Sequence, residues 1–208
     1  MMKYDYIFID LDGPILDGRY RHYNCYKDIL KKYGGCLVGL EQYWEMKRDR
    51  VSRKYLLEIS QFGGTYDQYM KEWLKRIELR EYLEYDLLQE NAVLALQKLR
   101  NMTSNLFLVT MRENYDNLIW QLNKLNIYDL FNRVICGQSN EVAAKYELIK
   151  EFVFNNAIFI GDTEVDIQAA QLSGCEFIGI LNGLRSKETF QNYLTYNDIY
   201  SLAQNIER

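Results

Sequence analysis

The chain has 208 residues, 48% of them hydrophobic and 26% charged, with a formal net charge of -4 and a pI near 5.2. That composition is globular and excludes an intrinsically disordered chain. The acidic balance gives no general attraction to nucleic acid or to an anionic membrane, and no run approaches the ~20 apolar residues of a membrane span, so a small molecule is the expected partner.

Met1-Met2-Lys3-Tyr4-Asp5 leads straight into an apolar run that meets Asp10, which reads as an interior strand and not as a secretory signal. Strand-sized apolar runs recur at 6–9, 106–109, 133–136, 157–160 and 177–180. They are apolar almost throughout instead of alternating, as strands of a parallel sheet covered on both faces would be. The segments between them carry helical periodicity. One starts at Asp86 and aligns Leu88, Ala92, Leu96 and Leu99; a second, after Glu113, aligns Leu118, Leu122 and Leu125. A third is expected over about 140–155, and a fourth over 163–173, with Gly174 placed to end it. This alternation predicts an α/β fold with a doubly wound parallel sheet. Residues 18–85 break it: they show no strand, three expected helices, and breaks near Gly34-Gly35 and Gly63-Gly64. The expected organisation is therefore a core of 1–17 and 86–208 with a helical insertion of 18–85. Cys25, Cys36, Cys136 and Cys175 are widely spaced without CxxC pairing, so reduced thiols and a cytoplasmic location are expected, not a zinc site or disulfides.

The first run ends Asp10-Leu11-Asp12-Gly13-Pro14, placing two carboxylates on one face at strand spacing. Ligands of open parallel sheets bind at such strand ends; a solvated turn is the plain alternative. A second acidic element, Gly161-Asp162-Thr163-Glu164-Val165-Asp166, follows another apolar run and opens a helix. Asp162 as its N-cap is the simple explanation, yet Asp166 falls on the same helical face, with Cβ atoms ~5–6 Å apart, and a cap needs only one of them. Gathering these acids costs about 3 kcal/mol per like-charged pair at ~5 Å and an effective dielectric of about 20. A divalent cation removes that cost, and all-oxygen ligation favours Mg2+ over calcium as the catalytic ion. Thr110, ending the run 106–109, and Lys145, near the start of a helix, are each unremarkable alone.

Together these residues fall in the order of four short motifs, and the sequence resembles the haloacid dehalogenase (HAD)-like hydrolases. The resemblance rests on Asp10-Leu11-Asp12-Gly13, Thr110, Lys145 and Gly161-Asp162-Thr163-Glu164-Val165-Asp166, and spans nearly the whole chain. The position of the insertion looks like the α-helical cap of the branch that contains phosphoglycolate phosphatases and β-phosphoglucomutase, and the segment 179–186 is similar to one in phosphoglycolate-phosphatase-like members. The resemblance implies a Rossmann-like core and a magnesium-dependent phosphatase that hydrolyses a small phosphorylated metabolite through an aspartyl-phosphate. By the same resemblance Asp10 is the nucleophile and Asp12 the acid and base, a residue the dehalogenating branch lacks. Thr110 and Lys145 would bind phosphate, and Arg112 is a candidate substrate contact. Mg2+ would be held by Asp10, the backbone carbonyl of Asp12, and Asp162, with Asp166 as a ligand through water or in support. Arg19, Arg21, His22, Arg48, Arg50, Arg53 and Lys54 are candidate selectors in the cap. Two positions depart from the family pattern: Pro14 stands where threonine is usual, and Tyr146 where proline often follows the lysine. A phosphomutase of the β-phosphoglucomutase type would use the same nucleophile and acid. A non-catalytic phospho-acceptor domain fits less well, because its aspartate lies on a middle strand.

Overall fold

The computed structural model describes residues 3–137 and 143–206. The chain divides into two compact units, Met1–Asp17 with Leu88–Arg208, and Gly18–Leu87.

In chain order the strands are β1 (Tyr6–Ile9), β2 (Leu16–Asp17), β3 (Leu87–Leu88), β4 (Leu106–Thr110), β5 (Arg133–Cys136), β6 (Ala157–Gly161), β7 (Glu176–Ile180) and β8 (Leu194–Tyr196). β2 and β3 stand outside the main sheet, whose six strands run in the order β5-β4-β1-β6-β7-β8 with every neighbour parallel. The register sets Ile7 against Leu106 and Ile158, and Ile9 against Leu108 and Ile160. Successive side chains point to opposite faces, and here the faces differ in kind. Ile7, Ile9, Leu108, Ile160 and Ile178 join an aliphatic core with Leu96 of α6 (Ala92–Arg100), Leu122 of α7 (Tyr115–Lys124) and Leu202 of α10 (Ile199–Asn205). Phe8, Phe107, Phe159 and Phe177 turn the other way, packing with Ile149 of α8 (Ala144–Ile149) and Ala169 of α9 (Glu164–Ser173). Both faces are covered, which is why the strands read as unbroken apolar runs. Each such side chain contributes about 1.5–3 kcal/mol on burial.

Strand order reverses at β1, with β4 and β5 on one side and β6 to β8 on the other. The carboxyl ends of β1, β4 and β6 therefore border the crevice in which doubly wound sheets bind ligands. Several elements differ from the sequence expectation. Leu88 lies in β3, and α6 starts only after Asn91, whose φ of 57 interrupts the periodic pattern that begins at Asp86. α8 stops at Ile149, short of 155, and its expected beginning near Asn140 lies outside the described residues. α9 ends as expected on Gly174, in the left-handed region at φ 78.

The second unit is helical: α1 (Arg19–Tyr33), α2 (Leu40–Arg48), α3 (Arg53–Ile59), α4 (Tyr66–Arg76) and α5 (Arg80–Leu83). The sequence suggested three helices, but the 34–85 stretch breaks more often, with α2 and α3 parted at Asp49 and α3 capped by Ser52. Its interior is aromatic: Tyr26 stacks on Tyr43 at 5.0 Å and Tyr69 on Trp73 at 5.9 Å. Arg21 pairs with Asp86 at 3.0 Å, both side chains at most 2% exposed, tying the first helix to the far end of the unit. The His22 ring lies 5.4 Å from that of Trp73, with Lys47 Nζ 2.9 Å from its Nδ1. Among the described residues no helix is long and apolar enough to cross a membrane.

Candidate active site

Asp10 is the first residue beyond β1, and its amide donates to the Ile160 carbonyl at 2.9 Å, which holds it against β6. Its carboxylate is buried, 6% exposed. Oδ1 accepts from the Leu11 amide at 2.8 Å and lies 2.8 Å from Lys145 Nζ. The same ammonium, on the second residue of α8, donates to Asp166 Oδ1 at 2.5 Å. Burial pushes Asp10 up to about 7, with Asp166 and Asp12 adding to the rise and Lys145 opposing it. Burial disfavours the charge on Lys145, yet Asp10 and Asp166 together outweigh it and hold the ammonium above its ordinary pKa.

The N-cap of α9 is Thr163, so Asp162 is not explained as the cap. Asp166 does the local work instead: its Oδ2 accepts from the Asp162 amide at 3.1 Å, the Thr163 amide at 2.9 Å and Thr163 Oγ1 at 2.7 Å. Asp162 is fully buried; Oδ2 accepts from the Leu184 amide, and Oδ1 has no hydrogen-bond partner among the described residues. Burial, then the charges of Asp10 and Asp166, push its pKa well above the usual carboxylate range. Gly13, at φ 105, and Gly183 both back onto this carboxyl group so closely that a Cβ on either would overlap it. Only glycine allows that approach.

One carboxylate oxygen each from Asp10, Asp162 and Asp166 lie within 4.8 Å of one another. A buried oxygen without a partner in an all-oxygen donor set fits a hard divalent cation. Asp10 and Asp162 have the better claim to be ligands, because Asp166 already accepts on both oxygens.

Thr110 closes β4, the strand beside β1, and is 1% exposed. Asp12 stands apart from the acid cluster: Arg112 grips it with Nε to Oδ2 at 2.7 Å and Nη2 to Oδ1 at 2.8 Å. The structure thus brings Asp10, Lys145, Asp162 and Asp166 into one contact set and places the Asp12 carboxylate on Arg112. The Arg112 guanidinium, suggested by sequence as a substrate contact, is buried and committed to Asp12.

Sequence reasoning missed Gln89, whose Nε2 donates to the Gly13 carbonyl at 2.9 Å and props the turn after β1. It singled out the segment 179–186 but not its contacts: Arg185 pairs with Glu164 at 2.9 Å and the neighbouring Leu184 amide holds Asp162. The Leu184 contact is through backbone and leaves no residue-type signal. Glu164 lies inside the acidic motif, which was the available clue.

The sequence profile of the haloacid dehalogenase-like hydrolases matches residues 6–180, and the chain belongs to that family. A phosphoglycolate phosphatase of Rhodobacter capsulatus is 25% identical over 189 residues, covering 86% of this chain and 85% of that protein. Among solved structures, a predicted phosphatase from Clostridium acetobutylicum superposes with a TM-score of 0.74 at 18% identity, over 98% of each chain. A predicted phosphoglycolate phosphatase from Haemophilus somnus 129pt superposes with a TM-score of 0.71 at 18% identity, over 100% of each chain. At that identity the two structures speak to the fold alone.

Proposed function

We propose that this protein is a magnesium-dependent phosphatase that hydrolyses a small phosphorylated metabolite through a phosphoryl-enzyme on Asp10. The observation that carries the reading is the buried set of Asp10, Asp162 and Asp166, two of them on the Lys145 ammonium, with Asp162 Oδ1 lacking a hydrogen-bond partner among the described residues. The family, and the phosphatase activity named for the Rhodobacter relative, support it.

In the first step an Asp10 oxygen bonds to phosphorus as the bond to the leaving alcohol oxygen breaks, and Asp12 delivers the proton that oxygen takes. In the second, water attacks phosphorus, Asp12 takes its proton, and the bond to Asp10 breaks to release inorganic phosphate. Lys145 and Thr110 hold the phosphoryl oxygens, the lysine offsetting the negative charge around the nucleophile. Mg2+, bound by Asp10, the Asp12 carbonyl and Asp162 with Asp166 in support, would supply charge neutralisation and polarise the phosphoryl group. The helical unit 18–87 acts as a cap that selects substrate, and the enzyme works in the cytoplasm.

Incubation with Mg2+ and a panel of phosphorylated metabolites tests the activity. Stoichiometric release of inorganic phosphate is expected, abolished in Asp10→Asn with the fold intact. Isomerised sugar phosphate with little release would assign a mutase instead, and undiminished turnover in Asp10→Asn would remove the nucleophile.

A further inference from the structure

We propose that Arg112 is the positioning residue for Asp12, fixing the carboxylate that exchanges protons with the leaving group and with water. The inference rests on the phosphatase reading above and adds a residue to it.

Asp12 lies in the turn after β1 with its side chain 32% exposed, a setting in which an aspartate spreads over several rotamers. Arg112 removes that freedom. Its planar fork makes two parallel bonds, of 2.7 and 2.8 Å, which set both the position and the plane of the carboxylate. The fork is itself anchored, since Arg112 is 4% exposed. It leaves β4 two residues beyond Thr110, so the clamp joins the strand end bearing the nucleophile to the one bearing the phosphate-binding hydroxyl. A carboxylate oxygen has two acceptor positions, and the fork takes one on each. The fork does not by itself block proton transfer at either oxygen. A lysine in place of Arg112 would keep the charge and lose the fork.

Misplacing a reacting group by ~1 Å costs about 100-fold in rate. The cost of losing Arg112 should fall on steps in which a proton moves at Asp12. Benzyl phosphate and p-nitrophenyl phosphate separate those steps, because benzyl alkoxide needs a proton to leave and p-nitrophenolate does not. Single-turnover phosphoryl transfer by the full chain with Mg2+ is measured for both esters.

Arg112→Met is expected to slow transfer from benzyl phosphate about 100-fold and to slow transfer from p-nitrophenyl phosphate at least tenfold less, a ratio a purely structural lesion would not produce. In an Asp12→Asn background the same substitution should add less than about 3-fold, because the two residues act as one unit. Equal losses on both esters, or a full Arg112→Met loss persisting in Asp12→Asn, would overturn the proposal. Arg112→Lys carries the same comparison if the methionine variant fails to fold: an ester-selective loss supports the clamp and equal losses refute it. Turnover retained in Asp10→Asn would instead overturn the underlying phosphatase reading, so the two failures are distinct.

Discussion

Lys145 and Asp10 form a buried ion pair, Nζ lying 2.8 Å from Oδ1, and the same nitrogen lies 2.5 Å from Asp166. One ammonium thus links the residue that follows β1 to the helix that follows β6. Removing one partner of a buried pair destabilises by about 3–5 kcal/mol when the other charge cannot neutralise. Asp10 can take up a proton, so Lys145→Met should cost less, up to about 3 kcal/mol. Urea denaturation in EDTA measures this. Part of the loss should return with Mg2+, whereas turnover should not; a variant as stable as the parent in EDTA would show that the pair does not hold the site together.

Gly183 tests the proposed metal site without replacing an acid. A methyl group there would strike the Asp162 carboxyl group, and Gly183 is not at positive φ, so Gly183→Ala adds a contact without backbone strain. Displacing a ligand's surroundings typically costs 10–100-fold in metal affinity. Calorimetric titration with Mn2+ should show at least a tenfold weaker site, by analogy with that range. Unchanged binding would mean that Asp162 is not a ligand.

In the helical unit, Asp86→Ala would leave the buried Arg21 guanidinium without its 3.0 Å partner. A loss of about 3–5 kcal/mol is expected in the stability of that unit. Hydrogen exchange followed by peptide should place the gain in exchange on α1. Exchange increasing equally across β1 and β6 would contradict a local role for the pair.

Glu72 accepts from Lys32 and Arg76, and those hydrogen bonds, that of Lys32 foremost, bring its pKa down to about 2 from an ordinary 4.5. A depressed folded-state pKa means that the pairing stabilises fully above 4.5 and is lost as pH falls through about 2. Carboxyl NMR of Glu72 should therefore titrate near 2; a midpoint near 4.5 would show that neither cation is engaged in solution.

The core strands and the acid motifs were legible in the sequence because each has a local cause. Runs such as Tyr6-Ile7-Phe8-Ile9 and Ala157-Ile158-Phe159-Ile160 are apolar at every position, and both faces are buried. Asp10 follows such a run directly, and Asp162 follows one across a single glycine. β8 was missed because its three residues are half exposed at the sheet edge, with too little apolar pattern to register. The insertion's extra helices bury Tyr43, Tyr69 and Trp73, aromatic positions that do not read as an aliphatic stripe. Arg112 was noticed for its place after Thr110, but its partner is 100 residues away, and only the pairing of β1 with β4 brings the two together. The Leu184 amide could not be found from sequence at all, since every residue but proline carries one.

The central claim is a covalent phosphoryl group on Asp10. Acid quenching of the protein during turnover of p-nitrophenyl phosphate with Mg2+, followed by peptide mass spectrometry, reads it directly. The account predicts an acyl phosphate on Asp10, absent from the Asp10→Asn variant. Phosphate carried on another residue, or steady turnover by Asp10→Asn, would contradict it.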